Sequence, residues 1–279
     1  MHRLPVALVT EVFAGADATA RLVEHLALAA GRGAGLAVLP ELPLDPWVPS
    51  SRRPREDDAE APEGPRQLRL AAAARESGIA VLGGAIVRDP VTGVRHNTAL
   101  LVGADGRLLT SYRKVHVPCE PGYWEADHYE PGTEAPPVAG SLGLVLGLQI
   151  CSDVNRPVGC QLLAAAGAEA ILVPRATPPE SWERWKLVLR ANAVTCATWV
   201  VSVNRPRPEG DAHIGGPSVV IAPDGRVVVE TTEPVVTAVL DVAAVETARR
   251  GYPGYLAYPA ATYAEGWRRA ARETHEASR

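Results

Sequence analysis

Apolar and polar positions fall in blocks whose period changes along the chain. Two short apolar runs, Leu4 to Thr10 and Leu36 to Leu39, bracket an amphipathic stretch around Ala16 to Ala30. The outer runs suit buried strands and the middle one a helix, so the chain opens as β-α-β. A helical run from Leu68 to Ser77 and a strand from Ile79 into Gly83-Gly84-Ala85 continue the alternation. Between Trp47 and Gln67 lies a polar segment rich in Pro and Arg. It is too long for a simple connection and is expected to be an active-site lid or a mobile insertion.

Two later stretches repeat one pattern. Ala99 to Leu109 and Ser218 to Val228 each set an Asp-Gly pair between β-branched or Leu-rich flanks. Asp-Gly supplies the positive φ of a tight turn, so each stretch predicts a β-hairpin. Strand-end prolines recur as well, at Pro40 and Pro174. Together these repeats predict an α/β protein of two similar halves, with two sheets packed face to face and helices outside. No Pro/Ser/Gly linker divides the halves, and the tail after Tyr252 reads as an arm.

Composition narrows the function. With 47% apolar and 22% charged residues in 279, the chain has ordinary globular usage and enough length for a sizeable core. Lys plus Arg (28) against Asp plus Glu (32) gives a net charge of -4, without the basic footprint that a nucleic-acid partner demands. Apolar stretches such as Leu142 to Ile150 fall far short of the roughly 18 to 20 residues that cross a bilayer, so no membrane span is expected. The N-terminus lacks the pattern of a signal peptide, which predicts a cytoplasmic location. Cys119, Cys151, Cys160 and Cys196 show no CxxC spacing, so they are expected to be thiols and not a disulfide framework or a zinc site.

Three segments carry candidate chemistry. Leu144 to Ile150 reads as a buried strand running into a helical stretch, with Cys151 at the junction. A cysteine on such an elbow is exposed at the sheet edge, among backbone N–H groups. Taken alone, a buried structural cysteine explains the segment as well. Glu41 follows Val38-Leu39-Pro40 at another strand end, where open α/β sheets place ligands. A carboxyl raised by burial suits repeated proton transfer, although a lone Glu is more often a solvated loop residue. Lys114, in Tyr112-Arg113-Lys114-Val115-His116, follows the first hairpin; pointing inward, it would stabilise a thiolate and a developing oxyanion.

Taken together and in order, these segments resemble the nitrilase superfamily of carbon–nitrogen hydrolases. The resembling motifs are Glu41 after a strand-end Pro, the Tyr-Arg-Lys-x-His motif at Lys114 and Ile150-Cys151-x-Asp153. Further matches are Glu125 to Gly132, Gly167-Ala168, Val203-Asn204-Arg205 and Gly216-Pro217-Ser218, so the resemblance runs from Leu4 to about Tyr258. It implies a four-layer αββα sandwich over residues 1–258, with an arm at 259–279. It also implies a Glu41, Lys114, Cys151 triad with Glu125 as a second carboxylate, no metal or organic cofactor, and a homodimer or larger homo-oligomer.

The same resemblance implies hydrolysis of a non-peptide C–N bond in a small linear amide through a thioester. An N-carbamoyl substrate, a nitrile and a non-catalytic binding protein are the alternatives. Lys114 and a helix N-terminus after Cys151 are expected to favour the thiolate. Where many relatives carry an aromatic residue after the Cys, this chain has Ser152, which should leave room beside the nucleophile. Arg175 is expected either to bind a substrate carboxylate or carbonyl, or to cap a helix or pair across subunits. Trp182, near the pocket mouth, is a candidate substrate contact beside Ser152 and Arg175, although Trp182, Trp185 and Trp199 all read first as packing residues; His116 is expected to be a hydrogen-bonded structural histidine.

Overall fold

The computed structural model describes residues 2–277, so residues 1, 278 and 279 of the expected domain and arm lie outside the described residues. In chain order the elements are β1 (Arg3–Val9), α1 (Ala18–Gly31), β2 (Leu36–Val38), β3 (Ala59–Glu60), α2 (Pro65–Ser77), β4 (Ala80–Arg88), β5 (Arg95–Val102) and β6 (Leu108–Arg113). There follow β7 (Val138–Ser141), β8 (Leu144–Leu148), α3 (Val158–Ala165), β9 (Ala170–Arg175), α4 (Trp182–Cys196) and β10 (Trp199–Asn204). The chain closes with β11 (Ser218–Ile221), β12 (Val227–Thr231), β13 (Val235–Asp241), α5 (Val242–Arg250) and α6 (Ala260–Ala277).

These strands form two mixed sheets. One has the order β13-β1-β2-β4-β5-β6, with β3 beside β4; the other has the order β12-β11-β10-β9-β8-β7. Strands β1, β2 and β4 run parallel through crossovers that contain α1 and α2, and β8, β9 and β10 do the same through α3 and α4. The halves therefore repeat one plan. Each also ends in the expected hairpin: Gly106 (φ 79°) and Gly225 (φ 83°) take the left-handed conformation, and Asp105 and Asp224 each accept a bond from the N–H two residues on, at 3.0 Å.

Alternation within the strands explains the layers. Leu4, Val6 and Leu8 of β1 meet Leu146, Leu172 and Val201 of the second sheet, filling the space between the sheets. Ala7, Ala37 and Val81 face the other way, onto Leu22 and Leu26 of α1 and Leu70 of α2. In the second sheet, Ile171, Val173 and Val200 pack against Leu163 of α3 and Leu189 of α4. The result is the four-layer αββα sandwich, its middle layer dry because period-two strands bury both faces.

Helix α2 starts at Pro65, ahead of the expected Leu68. Pro suits the first helical position, and the Glu60 carboxylate accepts from Arg66 N at 2.8 Å and Gln67 N at 3.1 Å, capping the free donors. That contact also fixes the polar segment that precedes it. Trp47 is buried and donates from Nε1 to Gly122 O at 3.0 Å; His128 Nε2 faces Ser51 O at 2.7 Å; β3 pairs with β4. The segment is thus anchored to the rest of the fold, and none of its residues lines the cavity described below. Helix α6 lies on the outside, with Trp267 lining a groove beside Val158 and Leu162 of α3. Among the described residues no helix is long and apolar enough to cross a membrane.

Candidate active site

Residues that follow strands of both sheets come together at one site. Glu41 follows β2, Cys151 follows β8, Lys114 follows β6 directly, and Glu125 opens a 3-10 turn between β6 and β7. Cys151 has φ 45°, a left-handed conformation that costs a non-glycine residue roughly 1 to 3 kcal/mol. Asp153 holds this elbow in place. Its Oδ2 accepts from Ile150 N at 3.2 Å and the Tyr112 hydroxyl at 2.9 Å, and its Oδ1 accepts from Val115 N at 3.2 Å and His116 N at 2.8 Å. His116 Nδ1 meets the same Oδ1 at 2.9 Å. His116 is therefore tied up by a carboxylate on the elbow, a structural place. The nucleophile's turn and the strand carrying Lys114 are one rigid unit. Lys114 is fixed further by Gly132, whose N–H donates to Lys114 O at 2.7 Å; a Cβ there would stand 2.6 Å from Arg113 O.

Lys114 is fully buried between two buried carboxylates. Its Nζ is 2.8 Å from Glu41 Oε1 and 2.5 Å from Glu125 Oε2. The Tyr129 hydroxyl also donates to Glu125 Oε2, and Asn97 Nδ2 donates to Glu41 Oε1 at 2.7 Å and reaches Tyr129 Oη at 3.2 Å. Glu41 Oε2 is buried and has no hydrogen-bond partner among the described residues.

Burial alone would discharge Lys114, but the charges of Glu125 and Glu41 overcome it and raise its pKa. Burial likewise pushes Glu125 up to about 7, with Lys114 opposing and Glu41 adding to the rise. For the Cys151 thiol, burial dominates and the charge of Glu41 adds, so its pKa stands well above the usual value despite Lys114. Burial thus favours the thiol form of Cys151, its Sγ 3.8 Å from Ala176 O, against the thiolate that Lys114 and a helix terminus are expected to favour. The expected helix terminus is also displaced: a 3-10 turn, Cys151–Asn155, intervenes, and α3 begins only at Val158.

The cavity measures about 460 Å³ and is lined by Glu125, Cys151, Ser152, Asn155, Tyr123 and Thr177, with Ser181, Arg184 and Trp185 of the α4 end also on its wall. Ser152 lies in the lining as expected, its hydroxyl donating to His116 O at 2.5 Å. Arg175 does not. It is 1% exposed; its Nε donates to Ser202 Oγ at 3.0 Å, and its terminal nitrogens donate to Thr177 Oγ1 and Pro217 O. No carboxylate pairs with it among the described residues, and burial lowers its pKa to about 9. Both functional expectations for Arg175 are corrected: it is an internal brace behind the wall, neither a substrate ligand nor a subunit contact.

Trp182 is corrected too. It stacks under Arg175 at 4.9 Å, and its Nε1 donates to Glu230 at 2.6 Å. The helical period explains this: Trp182, Leu189, Ala193 and Cys196 share the buried face of α4, whereas Ser181, Arg184 and Trp185 lie on the cavity side.

Arg205 has a larger part than its place in a motif implied. Fully buried after β10, it donates from Nη1 to Glu41 O at 2.8 Å and Leu42 O at 2.7 Å, and from Nη2 to Asp45 O at 2.9 Å. Glu209 neutralises it at 2.7 Å and the Trp47 ring covers it at 5.4 Å. Leu42 sits at φ 46°, so this guanidinium holds a strained turn next to Glu41.

A profile of the carbon-nitrogen hydrolase family matches residues 15–250. A hydrolase encoded in the pqqF 5' region of Pseudomonas protegens is 35% identical over 169 residues, 60% of this chain; the match spans 57% of that relative, a little over half its length. Omega-amidase NIT2 of Danio rerio is 30% identical over 237 residues, 81% of this chain and 83% of its own. A solved amidase from Nesterenkonia sp. AN1, with acrylamide added to its active-site cysteine, superposes with a TM-score of 0.76 at 27% identity, covering 96% of this chain and 100% of the other. With the family profile spanning most of the chain over a sandwich of this topology, the protein belongs to the carbon–nitrogen hydrolases of the nitrilase superfamily.

Proposed function

We propose that the protein is an amidase that hydrolyses a non-peptide C–N bond in a small linear amide, using Cys151, Glu41 and Lys114 as its triad. The observation that carries the reading is Glu41 Oε2, a buried carboxylate oxygen without a hydrogen-bond partner among the described residues, in a cluster whose charges act on Cys151. In the first step the Cys151 proton passes to Glu41 as sulfur attacks the carbonyl carbon, forming the C–S bond. Lys114, with two N–H groups committed to carboxylates, turns the third to the oxyanion, alongside the Ser152 backbone N–H. Collapse breaks the C–N bond while Glu41 returns its proton to nitrogen, which leaves as ammonia or amine. Water then loses a proton to Glu41, attacks the thioester and releases the acid, and the proton goes back to sulfur. Glu125, at about 7, keeps Lys114 in place without adding a full second negative charge near neutral pH.

An acidic tail on the amide suits the mouth. Arg184 lines the cavity, and no ion pair involves it among the described residues. Relatives named omega-amidases fit this choice. An N-carbamoyl compound would use the same triad, whereas a nitrile lacks the N–H that Glu41 Oε2 would accept. The domain is read as 1–258, and the arm from 259 on, with Tyr263 and Trp267 exposed, as a contact for a second copy. The deciding test screens amides, carbamoyl compounds and nitriles for ammonia release, with Cys151→Ala as the blank and mass spectrometry for the acyl-enzyme. A wild-type protein that acylates at another cysteine, or releases no ammonia from any amide, refutes the proposal. Arg184→Met should raise KM for acid-tailed amides by about tenfold and leave neutral amides near wild type.

A further inference from the structure

Glu41 Oε2 and the hydroxyl oxygen of Tyr123 are buried polar atoms without a hydrogen-bond partner among the described residues. Tyr123 lines the cavity together with Cys151 and Glu120. Its ring is held edge-on against Trp47, at 6.0 Å and 61°, and Trp47 is itself pinned by its bond to Gly122 O. The hydroxyl therefore has a fixed position but nothing to bond in the folded chain. Buried polar atoms are nearly always satisfied, and one left open in a pocket wall points to a ligand. After burial, the charges that raise the Tyr123 phenol are those of Cys151, Glu120 and Glu41. Glu41, the base of the proposed reaction, is thus among the charges that act on both Tyr123 and Cys151.

A primary amide offers two N–H donors on its nitrogen, and Glu41 Oε2 and Tyr123 Oη are two open acceptors. We propose that the Tyr123 hydroxyl is a specificity-determining contact for the leaving group: its oxygen accepts one N–H of the scissile primary amide while Glu41 Oε2 takes the other. The hydroxyl hydrogen then turns to the acidic rim at Glu120. The pair orients the nitrogen for the proton from Glu41 and favours ammonia over a substituted amine, whose alkyl group would displace one of the two contacts. Burial and the neighbouring negative charges keep the phenol neutral, so the contact operates across the working pH range.

This inference rests on the amidase reading, and the test separates the two. Tyr123→Phe keeps the ring against Trp47 and removes a hydroxyl that bonds nothing in the protein. Wild type and variant are compared on butyramide, N-methylbutyramide and methyl butyrate, which share one acyl group. The ratio of kcat/KM for butyramide to that for the ester should fall about tenfold in the variant, the scale of one hydrogen bond to a group gaining charge. The preference for butyramide over the N-methyl amide should narrow by a similar factor. The ester rate of the same preparation controls for folding. Unchanged ratios, or amide and ester rates falling together, overturn the role of Tyr123 and leave the triad untouched. A wild-type enzyme without ammonia release from butyramide or any other amide instead removes the amidase reading itself.

Discussion

Replacing Glu125 by Gln tests the electrostatics of the buried cluster through stability. Its carboxyl rises from an ordinary 4.5 to about 7, chiefly because burial disfavours the charged form, with Lys114 restraining the rise. The folded state thus binds a proton that the unfolded chain releases between these values. The contribution is fully present below pH 4.5 and is lost as pH climbs through 7. At about 1.4 kcal/mol per pH unit the loss amounts to roughly 3 kcal/mol. Lys114, whose pKa is raised, stays charged in both states over this window and adds no slope. With a urea m value near 3 kcal/mol/M for a chain of this size, the wild-type midpoint should fall by about 1 M more than that of Glu125→Gln between pH 4.5 and 8. Other carboxyls, including the buried Asp45 that is also pushed up, are common to both proteins and cancel in the difference. The pairing of ionised Glu125 with Lys114 is already contained in the shifted value, so it adds nothing further to the slope. Parallel midpoint curves, or a difference that grows in the opposite sense, would show that Glu125 is ionised throughout and refute the reasoning.

Arg205→Lys replaces a fork by a single ammonium and strands at least one of the carbonyls of Glu41, Leu42 and Asp45; kcat should fall about 10- to 100-fold and stability by about 2 kcal/mol, read by steady-state kinetics and urea titration. Arg175→Met unsatisfies Ser202, Thr177 and Pro217 O, so a loss of about 2 to 4 kcal/mol in the same titration is expected, while the ratio of acid-tailed to neutral amide turnover stays constant. 2-Chloroacetamide should label Cys151 faster than the exposed Cys119, as followed by peptide mass spectrometry. Lys114→Met should reverse that order, because the carbonyl then loses its cationic donor.

The parts of this site that were legible from sequence are those fixed by local pattern. Period-two strands and Asp-Gly hairpins led to the sandwich, and an ordered set of motifs singled out Cys151 and the Glu41, Lys114 and Glu125 cluster whose charges act on it. Side-chain direction at strand ends was not legible, because it depends on neighbours from distant segments. Arg175 follows a strand-end proline as Glu41 does, yet it turns into its own sheet toward Ser202 and Pro217 O. Trp182 was misplaced because the phase of α4 is set by its buried Leu189, Ala193 and Cys196. The start of α2 was missed because its cap, Glu60, is supplied from outside the helical pattern. The thiol state of Cys151 depends on how far burial outweighs Lys114, a balance only the packed site defines.

The repeated halves explain why one catalytic pocket exists where the plan allows two. Strands β2 and β9 hold equivalent places, and the residues after their prolines, Glu41 and Arg175, meet across the seam through Glu41 N and Arg175 O at 3.5 Å. Five residues beyond Leu146 of β8 comes Cys151; five beyond Val6, its counterpart in β1 by register, comes Glu11, whose carboxylate accepts from Val12 N at 2.7 Å and pairs with Arg21 at 3.3 Å and Arg207 at 3.0 Å. The counterpart positions are thus closed by bonds within the protein. Glu41 and Lys114 come from the first sheet and Cys151 from the second, so their alignment depends on the two sheets keeping one register. Both strongest clamps reach across that boundary in the same direction. Asp153, beside the nucleophile, grips the backbone next to Lys114, and Arg205, after β10, grips the turn at Glu41. The second half therefore positions the acid–base groups of the first. Substitutions at these two clamps should alter the spacing of sulfur, nitrogen and carboxylate before they disturb either sheet, because each acts on a loop while the dry layer between Leu8 and Leu172 stays intact.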